Sequence, residues 1–203
     1  MTKNRLEAFS DGVLAIIITI MVLELKVPHG TDLTSLQPVL PFFIAYILSF
    51  IYLGIYWNNH HHMLHTVKNV SGGILWANLH LLFWLSLVPF TTGWMAENHF
   101  APLTLTLYGV NLLMAAISYF ILQRLILKLH GSESLLKRAI GKDIKGKISP
   151  VLYITAIILS YFDISQWAAG GIYVLVALIW LVPDKRIEKT IYGRMSEDEY
   201  NAA

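Results

Sequence analysis

Apolar residues gather into six runs along the chain, at residues 6–27, 36–64, 74–95, 103–129, 151–165 and 167–182, with short polar breaks between them. A helix needs about 20 apolar residues to cross the hydrocarbon core of a bilayer, so the first four runs predict membrane-spanning helices. The last two are shorter and part only at residues 162–166, which predicts a tight helical hairpin. Proline and glycine sit where these elements should begin and end. Pro28 and Gly30 follow the first run, and Pro38 and Pro41 open the second. Gly72 and Gly73 precede the third, Pro102 opens the fourth, and Pro150 and Pro183 bracket the hairpin. The expected fold is therefore an all-α integral membrane protein with six transmembrane helices in a single domain, residues 1–203.

Composition supports this class. Hydrophobic residues make up 56% of the chain and charged residues 14%, and the mean hydropathy is +0.57, too apolar for a soluble domain of this size. With no cysteine, disulfides, thiolate metal sites and a cysteine nucleophile are all excluded. Lys3 and Arg5 ahead of an apolar run also suit a secretory leader, but Asp11 and Glu24 interrupt the run and no small-residue cleavage site follows. With six spans and a cytoplasmic N-terminus, 14 of the 15 Lys and Arg residues fall inside and only Lys26 falls outside. That asymmetry predicts both termini on the cytoplasmic side of the cell membrane. The loop at residues 130–149 and the tail at 184–203 mix basic with apolar residues, as short helices on an anionic leaflet do. Lipid headgroups account for those charges, and no nucleic-acid partner is expected.

The first run carries polar groups that lipid-facing helices avoid: Ser10, Asp11 and Thr19. At about 100° per residue, Gly12, Ile16, Thr19, Ile20 and Leu23 share one stripe, while Asp11, Leu14 and Ile18 lie roughly opposite. Packing surface and pore lining are both open to such a stripe.

Further chemistry gathers near the cytoplasmic ends. The second run closes on Trp57, Asn58, Asn59, His60, His61, His62 and His65, a spacing compatible with a metal ion or haem. The alternative is that one or two of these histidines hydrogen-bond inside the bundle and the rest face headgroups. Asn78, early in the third run, shares the depth of Asp11 and of His61 or His62, so a polar cluster among helices one to three is expected, with Asp11 as a buried acceptor. Arg5 stands six residues from Asp11 and points elsewhere on a regular helix. A secondary transporter is the other class to weigh, but the paired repeats and broken midplane helices of that class are missing from the sequence.

The run Arg5, Phe9, Ser10, Asp11 matches R-x-x-x-F-S-D, and the histidines after Trp57 and the N-x-x-x-L-F-x-x-S-L-x-P-F pattern from Asn78 accompany it. In these motifs the chain resembles the transmembrane protein 175 family, the endosomal and lysosomal potassium channels and their bacterial relatives. The resemblance implies a potassium-favouring cation channel in which the first helix of each six-helix unit lines a central pore. Animal members carry two units and dimerise, so a chain with one implies a homotetramer. It places a hydrophobic constriction at Ile16, further rings at Ile20 and Leu23, and a hydroxyl layer at Thr19. It marks Arg5, Phe9, Ser10, Asp11, His61, His62 and Asn78 as structural signature positions. Potassium ions in the pore are implied, with no cofactor, no metal site and no enzymatic activity.

Overall fold

The computed structural model describes residues 2–130, 136 and 144–181. All regular structure among them is helical. The α-helices are α1 (Lys3–Ile20), α2 (Leu40–His65), α3 (Gly72–Ser86), α4 (Val88–Glu97), α5 (Pro102–His130), α6 (Ile144–Tyr161) and α7 (Gln166–Leu181). Single 3-10 segments extend α1 over Met21–Glu24 and precede α2 over Leu33–Val39. By length and composition 4 helical stretches could cross a membrane, Lys3–Glu24, Leu33–His65, Gly72–Glu97 and Pro102–His130, while α7 is apolar but shorter. Most of the loop expected to carry a surface helix at 130–149, and the whole tail at 184–203, lie outside the described residues.

The third run is one span in hydropathy but two helices in structure. Pro89 has no N–H to return to the preceding turn, so the ladder breaks at Leu87. Two threonines in the following turn satisfy their hydroxyls on the helix itself, Thr92 Oγ1 donating to Val88 O at 2.6 Å and Thr91 Oγ1 to Leu87 O at 3.1 Å. The hairpin also departs from the sequence pattern. Helix α6 begins at Ile144, so Pro150 lies inside it and does not open it. Its first turns contain Lys145 and Lys147, polar residues invisible to a search for apolar runs. The turn to α7 is tight as expected, with Ile164 N–H closing on Leu159 O at 2.9 Å and Asp163 at a φ of 51°.

Helix α5 is the spine, packing against α3, α4, α6 and α7. One core joins α1 to α2, α3 and α5 through Leu14, Leu53, Ile74, Leu81 and Leu122. The other seats the α6–α7 hairpin on α2 and α5 through Tyr52, Tyr108, Tyr153 and Tyr173. Lipid is as apolar as these side chains, so the cohesion comes from close packing and interhelical hydrogen bonds. Tyr52 Oη donates to Tyr173 O at 2.6 Å, and Tyr173 Oη to Leu105 O at 3.0 Å. The latter contact needs Gly109, where an added Cβ would stand 2.0 Å from the Tyr173 oxygen. Helix α1 thus lies at one flank of the bundle and the hairpin at the other.

Candidate functional site: the first helix and its anchors

Helix α1 divides lengthwise. Leu6, Ser10, Leu14, Ile17 and Met21 are buried, a three-and-four spacing that turns one helix face toward the bundle. Among the described residues nothing covers the other face: Ile16 is 59% exposed, Ile20 44% and Leu23 78%. Arg5, Phe9, Gly12 and Thr19 are exposed on the same side. A Cβ added at Gly12 would meet no atom within 4 Å, so packing within the subunit does not require a small residue there. The residues that helical spacing put on one stripe therefore do share the uncovered face.

Thr19 sits on that face in a defined state. Its hydroxyl donates back to the carbonyls of Ala15 and Ile16, each at 2.9 Å. The single proton is used inside the helix, and the oxygen keeps acceptor capacity for something outside it. Such back-bonding loosens a helical turn, and just beyond it the helix tightens into the 3-10 segment Met21–Glu24.

The buried face is pinned by a chain of polar contacts. His60 Nε2 donates to Asn78 Oδ1 at 2.7 Å, Asn78 Nδ2 donates to Ser10 Oγ at 2.9 Å, and Ser10 Oγ donates to Leu6 O at 2.8 Å. Ser10 and Asn78 have 0% exposure and His60 1%. Each of the three donor atoms has an acceptor, as a polar group at membrane depth requires. The expected cluster among helices one to three is present, but with different members. The α1 residue in it is Ser10. Asp11 is half-exposed at its side and accepts from Trp57 Nε1 at 3.1 Å.

The histidine facing Asn78 is His60, where the sequence spacing pointed to His61 or His62. His60 continues the inward stripe of α2 that holds Ala45, Ser49 and Tyr52, and each further residue turns about 100° away from it. His61 is exposed and stacks between Trp57 and His65, with ring centroids 6.2 Å from each. His62 is half-buried. Arg5 has no ion-pair partner among the described residues; the ion pairs are Lys3 with Glu7 and Lys26 with Glu97. The described residues contain no group of three or more histidine or carboxylate side chains placed to hold a metal.

Known proteins with the same pattern are ion channels. The model of the family described as endosomal/lysosomal potassium channel TMEM175 matches residues 5–89. A potassium channel of Chryseobacterium sp. is 61% identical over 191 residues, covering 94% of this chain and 98% of that one. The human endosomal/lysosomal proton channel TMEM175 is 35% identical over 96 residues, 41% of this chain but 19% of its own. The crystal structure of a lysosomal potassium-selective channel TMEM175 homologue from Chamaesiphon minutus superposes with a TM-score of 0.77 at 30% identity, covering 90% of this chain and 97% of that one.

Proposed function

The chain belongs to the TMEM175 family of membrane ion channels and is not an enzyme; from that premise we propose that four copies enclose a potassium-selective pore, with α1 of each copy facing the axis. The carrying observation is the uncovered face of α1 with Ile16, Thr19, Ile20 and Leu23 on it. Six spans per subunit, both termini in the cytoplasm and residence in the cell membrane complete the reading, supported by the distribution of Lys and Arg.

Selectivity in this pore comes from dehydration. The sequence has no T-V-G-Y-G stretch, so no ring of backbone carbonyls replaces the hydration shell. Four Ile16 side chains converging on the axis form a constriction that sheds water, and Ile20 and Leu23 extend it outward. Potassium gives up water more readily than sodium and passes such a ring at lower cost. The Thr19 oxygens, with their protons committed to the helix, accept the partly stripped ion from within the apolar stretch. The Ser10–Asn78–His60 chain sets the rotation of α1, so that Ile16 and not Ile17 meets the axis. Asp11 anchors the edge of the same helix through Trp57.

The natural absence of cysteine allows a direct test. Single cysteines at positions 16, 19 and 23 should make potassium current sensitive to a charged, membrane-impermeant thiol reagent, and cysteines at 14 and 17 should not. Block from 14 or 17, or none from 16, 19 and 23 in conducting channels, refutes the assignment of the axis to this face.

A further inference from the structure

Where α1 ends, its tail runs along α4. The Glu24 carboxylate lies over Gly93, whose absent Cβ would stand 2.7 Å from Glu24 Oε2. One helical turn further, Lys26 Nζ meets both carboxylate oxygens of Glu97, at 2.9 and 2.7 Å. The ammonium also lies 5.4 Å from the centre of the Phe42 ring. The two side chains are 66% and 54% exposed, and an ion pair this open adds little to stability. Its consequence is electrostatic. Lys26 stands three residues beyond Leu23, and in the proposed topology it is the sole Lys or Arg on the outer side.

We propose that Glu97 is a conductance-determining residue: it holds and neutralises Lys26, so that four ammonium groups do not add their positive charge to an outer mouth that also carries Glu24 and Asp32. The inference rests on the channel reading above and deepens it. For an ammonium one Debye length from the axis at 0.1 M salt, about 10 Å, the same separation is about three Debye lengths at 1 M. Summed over four subunits at the dielectric of water, its field lowers potassium at the mouth about threefold in 0.1 M salt and hardly at all in 1 M. Current entering from outside suffers more than current leaving.

The test is single-channel recording of the purified full-length protein in planar bilayers in symmetric 0.1 M and 1 M KCl. Glu97→Gln should lower inward unitary current about threefold in 0.1 M KCl, with the deficit vanishing in 1 M. Lys26→Gln, which leaves Glu97 bare, should raise inward current in 0.1 M KCl. The exchange Lys26→Glu with Glu97→Lys should return the wild-type value. Currents unchanged in either single variant, or an equal loss at both salt concentrations, overturn the proposal and leave the pair a structural strap. If Glu97→Gln yields no folded, conducting protein, Lys26→Gln decides alone. A wild-type protein that passes no cation current refutes the channel reading, and a conducting one whose variants ignore salt refutes only the role of Glu97.

Discussion

The contact between His60 and Asn78 makes the sharpest demand on the fold. In Asn78→Leu, Ser10 still donates to Leu6 O, so its hydroxyl stays satisfied. His60, with 1% exposure, keeps an Nε2–H whose acceptor has gone. Leaving such a donor unpaired costs about 1–3 kcal/mol, whereas interhelical hydrogen bonds in membrane proteins average about 0.6 kcal/mol. At about 2–4 °C per kcal/mol for a chain of this length, the melting temperature should fall by about 2–12 °C. His60→Leu should fall similarly, because Asn78 Oδ1 is then orphaned. The double variant should lose clearly less than the sum of the two, since it retains neither unpaired group. Exposed His61, changed to Leu, should shift the midpoint by no more than about 2 °C. The assay is thermal unfolding of detergent-solubilised protein followed by size-exclusion chromatography. Additive single effects, or a larger loss from His61→Leu than from His60→Leu, would show that His60 is not the partner of Asn78.

Gly109→Ala places a methyl group 2.0 Å from the Tyr173 oxygen and 2.9 Å from Ile157 Cγ1. Overpacking and the loss of the bond to Leu105 O should cost about 2–4 kcal/mol in the same thermal assay, and tolerance of the methyl would contradict the packing of α7 on α5. Ile16→Asn should raise single-channel conductance and weaken potassium over sodium selectivity, measured in planar bilayers; an unchanged phenotype in a folded tetramer would put Ile16 off the axis. Asp11→Ala removes the acceptor of an exposed Trp57 and should shift subunit stability by no more than about 1 kcal/mol. Its main effect should appear as a smaller tetramer fraction by native mass spectrometry, and a melting loss as large as that of Asn78→Leu would contradict this.

The two sides of α1 were legible in its sequence because side chains repeat at a fixed angle: the stripe through Gly12, Ile16, Thr19, Ile20 and Leu23 is the face left uncovered. The positive charges and apolar runs likewise announced a membrane bundle. What hydropathy could not see were features that do not alter it. Pro89 splits one apolar run into two helices, and Lys145 and Lys147 hide the first turns of α6. That His60 is the histidine that meets Asn78 is hard to read from the sequence because α2 is apolar on nearly every side. Its inward face is marked by the smaller and polar side chains Ala45, Ser49 and Tyr52, as packing faces of membrane helices often are. Extending that stripe reaches His60, a signal that was present but weaker than the conspicuous run His60–His61–His62. The Lys26–Glu97 pair spans 71 residues, and no local pattern announces it.

The central claim is that a hydrophobic ring with a hydroxyl layer, and no carbonyl filter, distinguishes potassium from sodium. The most direct measurement is the reversal potential of the purified protein in a planar bilayer with potassium chloride on one side and sodium chloride on the other. A pore that selects by dehydration should show a clear displacement from zero toward the potassium equilibrium potential, reduced in Ile16→Asn. A cation current in the wild-type protein that reverses at zero would contradict it.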